Sequence, residues 1–153
     1  MPAHAAAALP RGRAEAARLI GAALASDWPQ PDLLDILHLQ AAASPAMEHF
    51  GIWLMIERAS GTVVGDVGFT GTPAADGSAE IGYSVVPSRR RRGYATEAVR
   101  ALLAWASAQR EVAAVVAGCD RDNIPSIRLL ERLGFERIGE RDDQVRWQLD
   151  GLP

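Results

Sequence analysis

The stretch from Ala79 to Cys119 constrains the chain more than any other. "AEIGYSVV" alternates, with Ile81, Tyr83 and Val85 on one face and Glu80, Gly82 and Ser84 on the other, and Pro87 stops it. "SRRRRG" is a loop. Tyr94 to Gln109 then carries Ala95, Ala98, Val99, Leu102, Leu103 and Ala106 on a single helical stripe. "VAAVVAGC" is apolar throughout, as a strand covered on both faces must be. Strand, loop, helix and strand in that order make a β-α-β unit. Such a unit needs a parallel pair and a right-handed crossover.

The flanks extend this unit. "IWLMIER", "TVVGDVGFTG" and "AEIGYSVV" read as three antiparallel strands, with Asp76-Gly77 as a turn before the third. Downstream, Asn123 to Leu133 reads as a helix that Gly134 is placed to cap. "ERIGER" and "VRWQLD" follow as short strands. Upstream, Arg13 to Leu24 and Pro31 to Ala42 have helical spacing, and "PAHAAAALP" is a poor strand.

Composition narrows the function. The 153 residues suit one domain, and 48% hydrophobic residues supply a core. Net charge is -3, so a chain built chiefly to grip a polyanion is not expected, and neither is a nucleic-acid partner. All sixteen basic residues are arginine. A single cysteine, Cys119, excludes an internal disulfide. The three histidines have no metal-ligand spacing, so no metal is expected. No apolar run approaches the roughly 20 residues that span a bilayer, and the start lacks the basic region of a signal peptide. A cytoplasmic chain with no membrane partner is the expectation.

The arginine run then has a local explanation. A helix N-terminus presents unpaired N–H groups and partial positive charge. Gly93 in the loop before it lets backbone amides close around an anion, and arginine adds forked donors suited to phosphate. The loop is neither of the two common nucleotide-binding glycine motifs.

The arrangement resembles the GNAT superfamily of acyl-CoA-dependent N-acyltransferases. Its phosphate motif, Gln/Arg-x-x-Gly-x-Gly/Ala, is matched by Arg90, Gly93 and Ala95, with "TEA" following and "AEIGYSVVP" preceding. "DNIPSIRLLERLGF" is similar to the family's later block. The resemblance covers roughly residues 50–149, with order and spacing intact. It implies an α/β fold in which a mixed sheet of about six strands is flanked by about four helices. It also implies one domain over 1–153, with 1–49 a helical region on the acceptor side and 50–149 the family-matching core.

The same resemblance implies acetyl-CoA as co-substrate and a primary amine as acceptor, a small molecule or a protein N-terminus. The backbone around Arg90, Arg91, Arg92, Gly93, Tyr94, Ala95 and Thr96 would hold the CoA pyrophosphate. Val85 and Val86 would pair their backbone with the pantetheine arm, and Asn123 would bond the arm near its end. A homodimer is one assembly open to such a chain. A CoA-binding protein without catalysis is the alternative.

Amide formation from a thioester needs a base for the amine, a donor for the oxyanion and provision for the leaving thiolate. Glu80 is the candidate base; the competing reading is a strand-edge charge paired with an arginine. Many relatives carry a tyrosine where this chain has Leu130. The resemblance, here to the ribosomal-protein N-terminal acetyltransferase branch, implies Ser126 at the thiolate, against a plain helix-capping serine. Tyr83 reads as core, Cys119 as structural and Trp28 as core or lid, while the resemblance implies that Trp28 lines the acceptor site.

Overall fold

The computed structural model describes residues 1, 3–31, 33, 34 and 50–153. Among them the chain runs α1 (Ala3–Ala8), α2 (Arg13–Ile20), β1 (Ala23–Leu24), β2 (Ile52–Glu57), β3 (Thr62–Phe69) and β4 (Ser78–Val85). A 3-10 turn at Pro87–Arg89 leads to α3 (Tyr94–Ala106), β5 (Ala114–Asp120), α4 (Ile124–Arg132), β6 (Glu136–Arg141) and β7 (Gln144–Asp150). No helix among the described residues is long and apolar enough to cross a membrane.

The strands form one mixed sheet of seven, in the order β1-β3-β4-β5-β7-β6, with β2 also pairing β3. The β4-α3-β5 unit is parallel, as the apolar run in β5 requires. α3 turns Val99, Leu102, Leu103 and Ala106 into the core. α4 does the same with Leu129 and Leu130. Gly134, at φ 87°, closes α4 with a Schellman pair, Phe135 N to Leu130 O and Gly134 N to Glu131 O.

The N-terminal region departs from the sequence expectation. "AHAAAA" is a helix rather than a poor strand, since alanine has the highest helix propensity. The helix expected over Arg13 to Leu24 stops at Ile20, because Gly21 takes the left-handed conformation and caps it. Ala23 and Leu24 then pair in parallel with Thr62 and Val63 of β3. This short strand makes the count seven instead of about six. The helix expected over Pro31 to Ala42 lies largely outside the described residues.

Two features of the sheet position the site. β4 and β5 are paired only from Ser78↔Ala114 to Ile81↔Ala117, although each continues beyond. They splay apart from Gly82 and Gly118 onward. The two faces also differ in chemistry. One carries Asp66, Glu80, Ser84, Gly118, Arg146 and Gln148 in register. The other carries Ile81, Tyr83, Val85, Ala117, Cys119 and Trp147.

Candidate active site

The cradle sits at the open end of the splay. Gly93, at φ 86°, is the residue before α3, and no side chain caps that helix. A Cβ added at Gly93 would meet nothing within 4 Å, so the space in front of the backbone is open. Glu97 N, bonded to Gly93 O, makes the first helical bond. Among the described residues the amides of Arg91, Arg92, Gly93, Tyr94, Ala95 and Thr96 make no backbone hydrogen bond. Orphan donors converging at a helix start are what an anion requires. The residues present therefore fit a pyrophosphate.

The arginines divide into separate tasks. Arg90 Nε donates to Val85 O at 3.0 Å, tying the loop to the end of β4. Arg89 and Arg92 each lie 3.6 Å from Glu57 Oε1. Tyr94 Oη donates to that same oxygen at 2.5 Å, and Ser60 Oγ donates to Oε2 at 2.6 Å. Bonds from Ser60 and Tyr94, with the two guanidinium charges, hold the Glu57 carboxyl below its usual range. The bond to Glu57 holds the Tyr94 phenol above its own. Arg91 stands at φ 63°, a left-handed conformation unusual for a side chain with Cβ. Ser88 N and Oγ both donate to Asp27 at 3.2 Å, which ties the start of the loop to the N-terminal region.

Along the splay, β4 offers its main chain selectively. Val86 N bonds Val64 O, and Thr70 N bonds Glu80 O. The even-numbered residues of β4 are therefore spent on β3, and the alternation turns the main chain of Tyr83 and Val85 toward the gap. Val86 has its amide engaged and its side chain fully buried, so it serves the sheet and the core.

On the apolar face, Tyr83 Oη and Ser126 Oγ are 2.5 Å apart. Burial pushes the Tyr83 phenol up to about 12, with the Ser126 bond opposing. Asn123 is the N-cap of α4, and its Oδ1 accepts from Ser126 N at 3.3 Å. Ser126 is thus not the cap: its amide is capped and its hydroxyl is directed to Tyr83. Leu130 is fully buried. Burial raises the Cys119 thiol, which suits a neutral structural cysteine better than a nucleophile.

On the polar face, Arg146 Nη1 donates to Glu80 Oε1. The geometry allows this because Gly118 faces Arg146 across the β5–β7 pair. A Cβ at Gly118 would come within 2.8 Å of Arg146 Nη1. Asp66 is buried and accepts at Oδ2 from Trp28 Nε1 and from Ser84 Oγ, both at 2.9 Å. Trp28 is itself fully buried against this face. Its ring is therefore part of the wall on this side, not an exposed lid.

A cavity of about 660 Å³ lies on the β2 side of α3, lined by Trp53, Met55, Ile56, Tyr94, Ala98 and Trp105 among others. Tyr94 and Glu57 both line it, so it adjoins the arginine loop from the β2 side.

Arg90, Gly93, Ala95 and Val85, singled out from the sequence, stand together at one end of the splay. Sequence reasoning missed Glu57, Asp66 and Arg146. Asp66 had a signal, a lone carboxylate inside the apolar strand "TVVGDVGF". Arg146 had none, since its contact reaches across β5 from β7 to β4.

Comparison with known proteins agrees with this fold. Residues 4–136 match the family described as acetyltransferase (GNAT) domain. The chain is 31% identical over 124 residues to the uncharacterized N-acetyltransferase YjdG of Bacillus subtilis, covering 79% of this chain and 74% of that one. The solved ribosomal-protein-S5-alanine acetyltransferase of Vibrio fischeri superposes with TM-score 0.63 at 17% identity, over 78% of this chain and 68% of its own. The microcin C7 self-immunity acetyltransferase MccE, solved with acetyl-CoA and AMP, superposes with TM-score 0.60 at 17% identity, over 78% of this chain and 71% of its own. At those identities both show the shared fold.

Proposed function

This chain belongs to the GNAT acetyltransferase family, and on that premise we propose that it moves an acetyl group from acetyl-CoA to a primary amine. Transfer is by direct attack in a ternary complex. The single observation that carries the reading is the row of free amides from Arg91 to Thr96, standing at the mouth of the β4–β5 splay.

In this reading those amides, with Arg90 fastening the loop, hold the pyrophosphate. The amide of Val85, whose own carbonyl is taken by Arg90, and the main chain of Tyr83 pair with the pantetheine arm. An amide of β4 facing the gap supplies the oxyanion donor. Acetyl-CoA brings the activated thioester; the protein orients it and keeps it dry.

The acceptor approaches from the polar face. A free alkyl amine, with a pKa of about 10.4, arrives as an ammonium and must lose a proton before it attacks. Glu80 is the residue on that face that can receive it, directly or through water. Its Oε1 is given to Arg146, and its Oε2 has no partner among the described residues. Asp66, held by Trp28 and Ser84, lies further along the same face. A cytoplasmic setting, where acetyl-CoA and a reduced Cys119 coexist, belongs to the same reading.

The test is thermal unfolding with acetyl-CoA, using ATP as the control polyphosphate, followed by release of CoA thiol over a panel of small amines and peptide N-termini. Acetyl-CoA at about 100 times its Kd stabilises by roughly 2.7 kcal/mol, a shift of about 5–10 °C. An equal shift with ATP would reduce the cradle to a general anion site. A shift with acetyl-CoA but no thiol release with any amine would favour a binding protein without catalysis.

A further inference from the structure

The apolar face of the splay carries a hydroxyl pair that the reading above does not yet use. Tyr83 is the second residue of β4 beyond the last β4–β5 pair, Ile81↔Ala117. Ser126 lies in the first turn of the helix that follows β5. Their oxygens, 2.5 Å apart, bridge the opening between the two strands. A chain laid from the α3 cradle along Val85 and Tyr83 runs toward Ser126. The serine is not needed as a cap, because Asn123 already accepts its amide.

We infer that Tyr83 is a positioning residue: its hydroxyl donates to Ser126 Oγ and so aims the serine hydrogen at the sulfur that leaves when the thioester breaks. This rests on the acetyltransferase reading.

The balance of the step is as follows. The amine nitrogen bonds to the acyl carbon, and the carbon–sulfur bond breaks with its electron pair passing to sulfur. The amine's proton leaves on the Glu80 side. The sulfur is stabilised by the Ser126 hydrogen bond and takes its own proton from water.

Magnitudes decide that Tyr83 orients and does not hand over its proton. Burial pushes its phenol up to about 12, more than three units above the roughly 8.5 of a thiol. Transfer from phenol to thiolate is therefore strongly unfavourable, while donation of a hydrogen bond is not. The other titratable group that reaches the pair is Cys119, itself influenced by Asp120. Burial keeps the Cys119 thiol neutral at physiological pH.

The test reads the sulfur without needing an acceptor. CoA binding is first measured by calorimetry. The ionisation of bound CoA is then followed by thiolate ultraviolet absorbance against pH, with desulfo-CoA complexes as blanks. In the wild type the bound thiol is expected to ionise about one unit below the free value, a tenfold change. Ser126→Ala should return it to the free value, and Tyr83→Phe should return most of it. The double variant should match Ser126→Ala alone, because Tyr83 acts through the serine.

With an amine acceptor in hand, Tyr83→Phe should lower kcat about tenfold and leave the KM for acetyl-CoA unchanged. Thermal unfolding of each variant confirms that it is folded. If CoA binds but its thiol is unshifted, if Tyr83→Phe changes nothing, or if the two substitutions add, the inference is overturned and the acetyltransferase reading stands. If CoA does not bind at all, both fall.

Discussion

Helices α3 and α4 each follow one strand of the parallel pair, and their N-termini are finished in opposite ways. At α3 the residue before the helix is Gly93, in the left-handed region with no side chain to offer, and the amides behind it stay free. At α4 the residue is Asn123, whose carbonyl oxygen takes the Ser126 amide, and Pro125 lies in the first turn, where a missing N–H costs nothing. The two entrances stand at the same end of one splay. One is left open for an anion; the other is closed by its own sequence and presents side chains instead. The same local device becomes a phosphate cradle or a scaffold for hydroxyls, according to whether the cap is supplied from within.

The comparison can be broken most directly at the open entrance. Gly93→Asp brings a carboxylate to the free amides and repels a pyrophosphate. Acetyl-CoA should bind on the order of 100-fold more weakly, since like charges placed together cost several kcal/mol. Calorimetry checks this, and unchanged affinity would mean that the open amides are not the site.

At the closed entrance, pH sharpens the contrast. Tyr83 has a folded-state pKa of about 12 against 10 in the unfolded chain. The folded state therefore keeps a proton that the unfolded state releases. Its contribution is fully present below pH 10 and is lost as pH rises toward 12. By linkage the loss is about 2–3 kcal/mol. Urea unfolding from pH 9.5 to 11.5 should show a steeper decline in the wild type than in Tyr83→Phe.

A smaller effect is expected from the cap. Asn123→Ala should cost about 1 kcal/mol, a drop in Tm of about 2–4 °C, and Asn123→Asp should recover most of it. The equivalent change before α3, Gly93→Asn, should add no such stability, because that residue is already left-handed and its neighbours are built to remain uncapped. The smallest change expected is at Arg91. Relieving its φ of 63° with Arg91→Gly should raise stability by roughly 0.5 kcal/mol, the backbone strain being partly offset by glycine's freedom in the unfolded chain. Affinity for acetyl-CoA should hardly move.

The open entrance was legible in the sequence because every signal for it is local. Pro87 ends a strand, Gly93 opens a turn, and an amphipathic stripe begins at once. The closed entrance was only half legible. Asn123 and Ser126 stood out by position, but their division of labour did not. Tyr83 read as core because a tyrosine alternating with Ile81 and Val85 is ordinarily that. Only the divergence of β4 from β5 places its hydroxyl at an opening. Glu80 likewise had two readings, and the arginine that the second of them calls for, Arg146, is 66 residues away.

The sequence by itself determined the order of elements from β2 onward, the parallel β4-α3-β5 unit and the glycine that opens α3, because periodicity, capping and glycine chemistry act over a few neighbouring residues. Tertiary structure alone decided which charges meet. Glu57 gathers Arg89, Arg92 and Tyr94; Asp66 holds Trp28 and Ser84; Arg146 crosses Gly118 to Glu80. Those pairings depend on strand register and on a missing side chain at Gly118. Register is set by the packing of the whole sheet, beyond the reach of any single segment's pattern.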